Sequence, residues 1–244
     1  MNKIINLLKL LFRAGKYRWM EDRDEFNFML SSIKKDDVVF DIGAHKGAYT
    51  FWMKNAIGRN GKLVAFEPQQ KGFLLLKSIF PQKNVKVENL AVSDSEESAS
   101  FYVQDQPHDV SYEASLQNKY ENYQQIFVRT ITIDRYCSKE NLVPNFIKID
   151  VEGHEEHVLK GAHYTLSTHR PFLLIEAEVR HIGEASLKKI FTMLLGMGYK
   201  GYFFTNKKMV EIANFSATLH QDVNNISKGN YSNNFAFIPG SLNS

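Results

Sequence analysis

The sequence predicts an α/β fold with a mostly parallel sheet and helices on both faces, and three observations point to it. Apolar runs rich in Val, Ile, Leu and Phe recur near 38–42, 63–66, 85–89, 146–150, 172–177 and 202–205. Helical patterns fall near 22–33, 47–57, 69–80, 155–167 and 184–197, so strands and helices alternate for most of the chain. The first run, Val38-Val39-Phe40-Asp41-Ile42, passes straight into Gly43 and Gly47, two glycines four apart. Strands without polar alternation belong in a sheet covered on both sides, and alternation with helices is the pattern of parallel connections.

Taken from the start, residues 1–20 read as an amphipathic helix. Ile4, Ile5, Leu7, Leu8, Leu11 and Phe12 share one arc, and Asn2, Lys3, Asn6, Lys9 and Arg13 the other. Two roles suit it: packing on the domain, or resting on an anionic membrane. A secretory leader is not expected, because Asn6 and Lys9 interrupt the apolar run and no small-x-small cleavage site follows. No stretch reaches the ~20 apolar residues of a membrane span. The expectation is a cytoplasmic protein, free or peripheral at a membrane, with residues 21–244 as one domain.

Composition narrows the class further. With 43% hydrophobic and 23% charged residues the chain is an ordinary globular protein. A net charge of +3 without a basic stripe argues against a nucleic-acid partner. The single cysteine, Cys137, leaves no internal disulfide and no cysteine-rich zinc site, and reads as a small buried hydrophobe.

The first strand's turn is the first candidate for chemistry. A strand feeding a glycine bend and then a helix holds a small ligand against bare backbone, and glycine tolerates both the positive φ and the close approach. The D-x-G-x-x-x-G spacing is neither G-x-G-x-x-G nor G-x-x-x-x-G-K-[ST], which disfavours a pyrophosphate-bearing cofactor. Leu63 to Phe66 then ends in Glu67, 20 residues past Gly47. A carboxylate at the tip of the second strand of a βαβ unit can accept hydrogen bonds from both hydroxyls of a ribose. Pro68 turns the chain out of the strand and into the next helix.

Between the third and fourth strands lies an insertion, about 93–134. It holds two extended segments, Ser100–Gln104 and Phe127–Ile133, around a polar stretch with Tyr112, Tyr120 and Tyr123. These tyrosines either stack on a sugar or cover the domain edge. The fourth strand reads Phe146-Ile147-Lys148-Ile149-Asp150-Val151-Glu152-Gly153-His154-Glu155. Near the end, Phe235, Phe237 and Ile238 suggest a final strand docked on the sheet.

Together, Asp41-Ile42-Gly43-Ala44 with Gly47, Phe66-Glu67-Pro68, and Ile147 to Gly153 followed by Glu155 resemble the FkbM family of methyltransferases. Thr130 to Asp134, Arg170-Pro171, Ile175-Glu176 and Asn234 to Pro239 extend the likeness, which covers about 36–205 and more loosely reaches 239. His154 stands where that family usually has a small residue.

The resemblance implies a Rossmann-like class I methyltransferase fold, S-adenosylmethionine as cofactor, and a hydroxyl of a sugar, glycan or natural-product scaffold as acceptor. It implies a donor site of Asp41, Gly43, Ala44, Gly47, Glu67, Asn89 and Ala91, with the 93–134 insertion covering the acceptor side. It also implies that the fourth and fifth strands are neighbours beside the first.

Period-2 alternation then gathers Lys148, Asp150 and Glu152 with Glu176 and Glu178. Asp150, Glu152 and Glu176 are the catalytic candidates. They can supply a base, bind a divalent cation through oxygen, or complement a sulfonium charge. No dedicated metal site is assigned. Lys148 is read as their ion-pair partner or a hydroxyl-orienting donor, with pairing favoured because an unpartnered buried lysine is costly, Glu155 as a helix-capping acid, and His45 and His154 as reserve bases. Two other readings stay open: a nitrogen acceptor, or a binding module without catalysis.

Overall fold

The computed structural model describes residues 3–104, 110–111, 114–116, 123–225 and 230–240. The first half of the chain forms α1 (Lys3–Lys16), α2 (Arg23–Ser32), β1 (Val38–Ile42), α3 (Ala48–Ile57), β2 (Lys62–Phe66), α4 (Gln70–Ile79), β3 (Val85–Glu88) and β4 (Ala91–Val92). Next come β5 (Ser98–Gln104), β6 (Tyr123–Ile131), α5 (Ile133–Glu140), β7 (Phe146–Ile149), α6 (Glu155–Lys160) and β8 (Phe172–Glu176). The chain closes with α7 (Val179–Gly196), β9 (Tyr199–Thr205), β10 (Lys208–Glu211), α8 (Ala217–His220) and β11 (Asn234–Pro239).

Eight strands make one sheet in the order β10-β9-β11-β8-β7-β1-β2-β3. From β8 across to β3 every pair is parallel. The final strand, β11, inserts antiparallel between β8 and β9, as its apolar residues suggested.

Alternation along these doubly buried strands divides the interior in two. Phe40, Ile42, Phe66, Ile147, Ile149 and Ile175 pack with Tyr136, Leu159 and Leu194 from α5, α6 and α7. Val39, Ala65, Phe146 and Leu174 pack instead with Phe26, Met29, Met53 and Leu76 from α2, α3 and α4. Asp41 shares its register level with Ala65 and Lys148, so the two charged residues lie on the α3 side.

The largest departures from the expected elements have local causes. The helix expected over 155–167 is interrupted after Lys160 and resumes as a wide helical turn over Thr165–His169. A Cβ at Gly161 would sit 2.1 Å from the Ser93 carbonyl, so the chain is pinned there. Just beyond, the Asp134 carboxylate accepts the Tyr164 and Thr165 N–H groups and the Thr165 hydroxyl. Asp134, part of the family-like Thr130–Asp134 stretch, is thus a tether. The extended segment expected to run to Ile133 stops at Ile131, because Thr132 accepts from the Arg135 N–H at 3.1 Å and caps α5. The helix expected from 184 begins there, after Gly183, whose φ of 77° and ψ of 154° are not helical and separate it from a short helical turn that starts at Val179.

α1 is docked on the domain by an unexpected face. Leu10 and Ala14 are buried, as is Asn6 from the polar arc, and the Trp52 indole N–H donates to the Ala14 carbonyl at 3.0 Å. Arg13, also from that arc, donates to the Lys46 carbonyl at 3.2 Å. Most of the apolar arc faces outward.

In the insertion, β5 pairs antiparallel with β6, and β4 lies parallel to β6, giving a separate three-stranded sheet. Gln69, at the start of α4, clamps the stretch between β5 and β6: its amide donates to the Ser111 carbonyl and accepts the Ser111 N–H. Tyr123 opens β6 opposite Gln104. Tyr112 and Tyr120 lie outside the described residues.

Candidate active site

The sheet register places the candidates in a row. Ile42 pairs with Phe66 and Ile149, Phe66 with Glu88, and Ile149 with Ile175. One residue further along each strand, Asn89, Glu67, Gly43, Asp150 and Glu176 stand side by side at the carboxyl edge. That edge is where open α/β sheets bind ligands. A cleft of about 340 Å³ opens over it, lined by Asp41, Gly43, Ala44, Glu67, Ala91, Asp150, Glu152 and Glu176 among others. This volume lies in the range of small-molecule sites.

Gly43 is required by the fold as well as by any ligand. Its φ is +81°, and a Cβ there would lie 1.7 Å from the Asp150 carbonyl oxygen. Gly47, also at positive φ, precedes α3 and packs under Leu76 and Phe80; it is not among the cleft-lining residues. Asn89 stands behind the wall as well: its amide donates to the carbonyls of Glu67 and Pro68 and fixes the turn that carries Glu67.

Glu67 is almost wholly buried, yet it lines the cleft. Its two oxygens accept the backbone N–H groups of His45 at 2.7 Å and Gln69 at 2.8 Å. Each oxygen retains a second lone pair for a ligand hydroxyl. Burial lifts its pKa to about 7 despite these bonds. An acid whose folded pKa is raised makes the unfolded chain the poorer proton binder between the two values, so stability falls as pH rises from about 4.5 to 7. Thermal unfolding of the ligand-free protein at pH 5 and pH 8 is expected to show this. Wild type should lose roughly 2–3 kcal/mol more over that interval than Glu67→Gln, which cannot ionise. Equal pH slopes would contradict an ionising Glu67.

Further along the row, four acids converge on one lysine. Lys148, buried, donates to Asp150 at 2.8 Å, and its ammonium lies 4.5 Å from the Tyr49 ring centroid. Burial opposes its charge, but Asp150, Asp41 and Glu176 outweigh that and raise its pKa above the ordinary lysine value. Burial and the Asp150 charge raise the Glu176 pKa well above the carboxylate range. The Glu176 carboxylate accepts from the Asn233 amide at 2.7 Å. Asp41 accepts from the Thr50 hydroxyl at 2.5 Å, while its other oxygen is buried without a partner among the described residues. Asp22 adds a further acid, accepting from the Tyr49 hydroxyl at 2.9 Å, with its pKa pushed by burial to about 6.

Glu152 is held differently. It has a φ of 53°, rare outside glycine, and lies 3.1 Å from His181. Glu178, grouped with Glu176 by alternation, is occupied by Arg180 and the Tyr231 hydroxyl, and Arg180 lines the cleft. Glu155 stands in the first turn of α6, where an acid suits the helix N-terminus, and the bond it makes, accepting the Gly153 N–H at 2.7 Å, ties down the loop before the helix. His45 and His154 both line the cleft, and burial lowers each pKa to about 4, so both are neutral near pH 7. His154 hydrogen-bonds Ser93 and stacks on His157. Among the described residues, no group of three or more His, Cys, Asp or Glu side chains is arranged to hold a metal ion.

Several lining residues had no sequence signal. Arg13, Tyr17 and Asp22 reach the cleft from the α1–α2 segment, and Asn233 from just before β11. Their roles depend on where the chain ends pack, which no local motif encodes.

A mostly parallel sheet with β11 inserted antiparallel between β8 and β9 and β10 antiparallel at its edge, a glycine turn after the central strand and an acid at the tip of its neighbour define a class I methyltransferase fold. The chain belongs to the methyltransferase FkbM domain family, whose model matches residues 41–200. It is 29% identical over 147 residues to the hexuronic acid methyltransferase AglP of Haloferax volcanii, a match covering 57% of this chain and 56% of that protein. The chain thus spans little more than half the length of this curated relative. It also superposes on the crystal structure of methyltransferase FkbM from Methylobacillus flagellatus KT with a TM-score of 0.55 at 15% identity. That match covers 96% of this chain and 58% of the other, and it supports the fold.

Proposed function

We propose that the protein is an S-adenosylmethionine-dependent O-methyltransferase acting on a hydroxyl of a sugar. The observation that carries this reading is the row of Glu67, Gly43, Asp150 and Glu176 along one cleft. It sets a nucleoside-binding acid and turn directly beside a carboxylate cluster. When bound, S-adenosylmethionine supplies an electrophilic methyl group. Glu67 accepts hydrogen bonds from the ribose hydroxyls, Gly43 and Ala44 give the turn its close approach, and Ala91 offers an apolar wall. The unpartnered oxygen of Asp41 suits an ammonium group.

An alcohol becomes a nucleophile only as its proton leaves, so the acceptor needs a base. Asp150 takes this role in our reading: Lys148 holds it in place, and a carboxylate oxygen receives the hydroxyl proton. Glu176, its pKa raised by burial and by the Asp150 charge, faces the acceptor as a hydrogen-bonding partner, and Glu152 orients the acceptor from its constrained backbone. The relative's name, a hexuronic acid methyltransferase, favours an acceptor carrying a carboxylate, and Arg13 lines the cleft as a cationic partner for one, whereas Arg180, also in the lining, is paired with Glu178. The 93–134 insertion contributes Phe101, Ser111, Ala114 and Leu116 to the lining, in keeping with an acceptor-side cover.

The test supplies methyl-labelled S-adenosylmethionine with a panel of uronic-acid and neutral glycosides. Label is expected on a sugar oxygen, preferentially in the uronic-acid arm. Donor binding without transfer to any acceptor, including amines, would favour the binding-module reading. Transfer to nitrogen would overturn O-specificity.

A further inference from the structure

We infer that α1 docks the protein on an anionic lipid bilayer. The helix is amphipathic, but the domain uses the wrong face for a purely structural role. Asn6, Leu10 and Ala14 are buried, while the apolar arc is left outside: Ile4 is 67% exposed, Leu8 61% and Phe12 77%. Immediately after the helix, Trp19 and Met20 continue this surface at 62% and 77% exposure. A monomer rarely shows a contiguous apolar patch of this kind without a partner for it.

Charge identifies the partner. Residues 1–20 carry Lys3, Lys9, Arg13, Lys16 and Arg18 and no acid. On a helix repeat of 100° per residue, Lys9 and Lys16 fall at one border of the exposed apolar arc, and both are solvent-accessible. The Arg18 guanidinium lies 4.5 Å from the Trp19 ring centroid, a pairing of aromatic ring and cation suited to the boundary between headgroups and acyl chains. Apolar side chains of this size entering the acyl boundary, with lysines at headgroup level, are the arrangement of a helix lying in the interface plane. Glu21 engages Lys16 at 2.6 Å, so Lys9, with Arg18 beside Trp19, carries most of the basic border; a second protein would match the apolar arc but has no need of that border, whereas phosphatidylglycerol-like headgroups answer both features.

Docking this way also bears on the cleft. A groove on the outer side of α1, lined by Leu8, Lys9, Phe12, Lys16 and Glu21, shares Arg13 and Tyr17 with the cleft lining. The docked surface therefore adjoins the rim of the site, although the inference does not depend on the reaction proposed for that site.

The test is co-sedimentation of the full chain with vesicles of phosphatidylglycerol and phosphatidylcholine, and of phosphatidylcholine alone. At low salt the wild type is expected to pellet with the anionic vesicles and stay in solution with the neutral ones, with binding weakened by added salt. Lys9→Glu should lower vesicle affinity by about tenfold or more. The double variant Leu8→Asp, Phe12→Asp should abolish pelleting; both side chains are exposed, so its circular dichroism and melting temperature should match wild type. Failure of wild type to pellet, equal binding to both vesicle types, or unchanged pelleting of the folded double variant would each overturn the inference. So would a concentration-dependent dimer that this double variant dissolves while vesicles bind neither form.

Discussion

Glu67→Ala is expected to weaken S-adenosylmethionine binding by about 30- to 1,000-fold, the equivalent of roughly 2–4 kcal/mol. The size follows from what the carboxylate holds. It organises the turn by accepting the His45 and Gln69 N–H groups, and alanine would strand both next to the ligand. It is also the proposed acceptor for the ribose hydroxyls, which would lose their partner within a largely dry site. Glu67→Gln keeps the shape and one carbonyl oxygen, but must turn an amide N–H₂ toward a backbone donor, so an intermediate loss is expected. Titration calorimetry with S-adenosylmethionine and S-adenosylhomocysteine reads the effect, and circular dichroism confirms that the variants fold. Unchanged affinity in a folded Glu67→Ala protein would remove this acid from the donor site and with it the nucleoside reading of the cleft.

The contrast between Glu67 and Asn89 shows what the sequence could convey. Both stand at strand ends in the same row, and both were assigned to the donor site by motif position. Only the packed structure distinguishes an acid that lines the cleft from an amide that braces the turn behind it. Strand positions were legible because their burial is set by local apolar runs, and the row followed once the neighbours of β1 were known. The approach of α1 was not legible. Its strongest apolar arc pointed to a docking face, yet the domain buries Asn6, Leu10 and Ala14 instead. A periodicity argument identifies an amphipathic face but not which surface will cover it. Short helices such as α5 are hard to read for a different reason: Ile133, Tyr136 and Cys137 do mark an apolar face at i, i+3 and i+4, but over eight residues that pattern is brief, and the helix is fixed by the Thr132 cap and by Asp134 crossing to Thr165.

Asp150→Asn is expected to lower turnover by about 10²- to 10⁴-fold, the usual contribution of a positioned general base, while donor affinity stays within a few-fold of wild type. The alternative is a divalent ion held by Asp150 and Glu152 that acidifies the acceptor hydroxyl. Geometry weighs against it. The Lys148 ammonium already sits 2.8 Å from Asp150, and a second cation at that carboxylate would compete with it for the same oxygens. Chelator is therefore expected to leave turnover unchanged; loss of activity with chelator and its return with Mg²⁺ or Mn²⁺ would reverse the assignment. Glu152→Gln separates the remaining roles. If Glu152 orients the acceptor, KM should rise more than kcat falls; if it is the base, kcat should collapse and the loss at Asp150 should be mild. The Lys148 pair adds a control, because Asp150→Asn leaves a buried cation facing Asp41, Glu176 and Asp22, and Glu176 would then be drawn toward ionisation. A shifted pH–rate profile in the residual activity of Asp150→Asn would report Glu176 taking over the proton. Wild-type turnover in both Asp150→Asn and Glu152→Gln would clear the carboxylates and pass the role to the neutral imidazoles of His45 or His154.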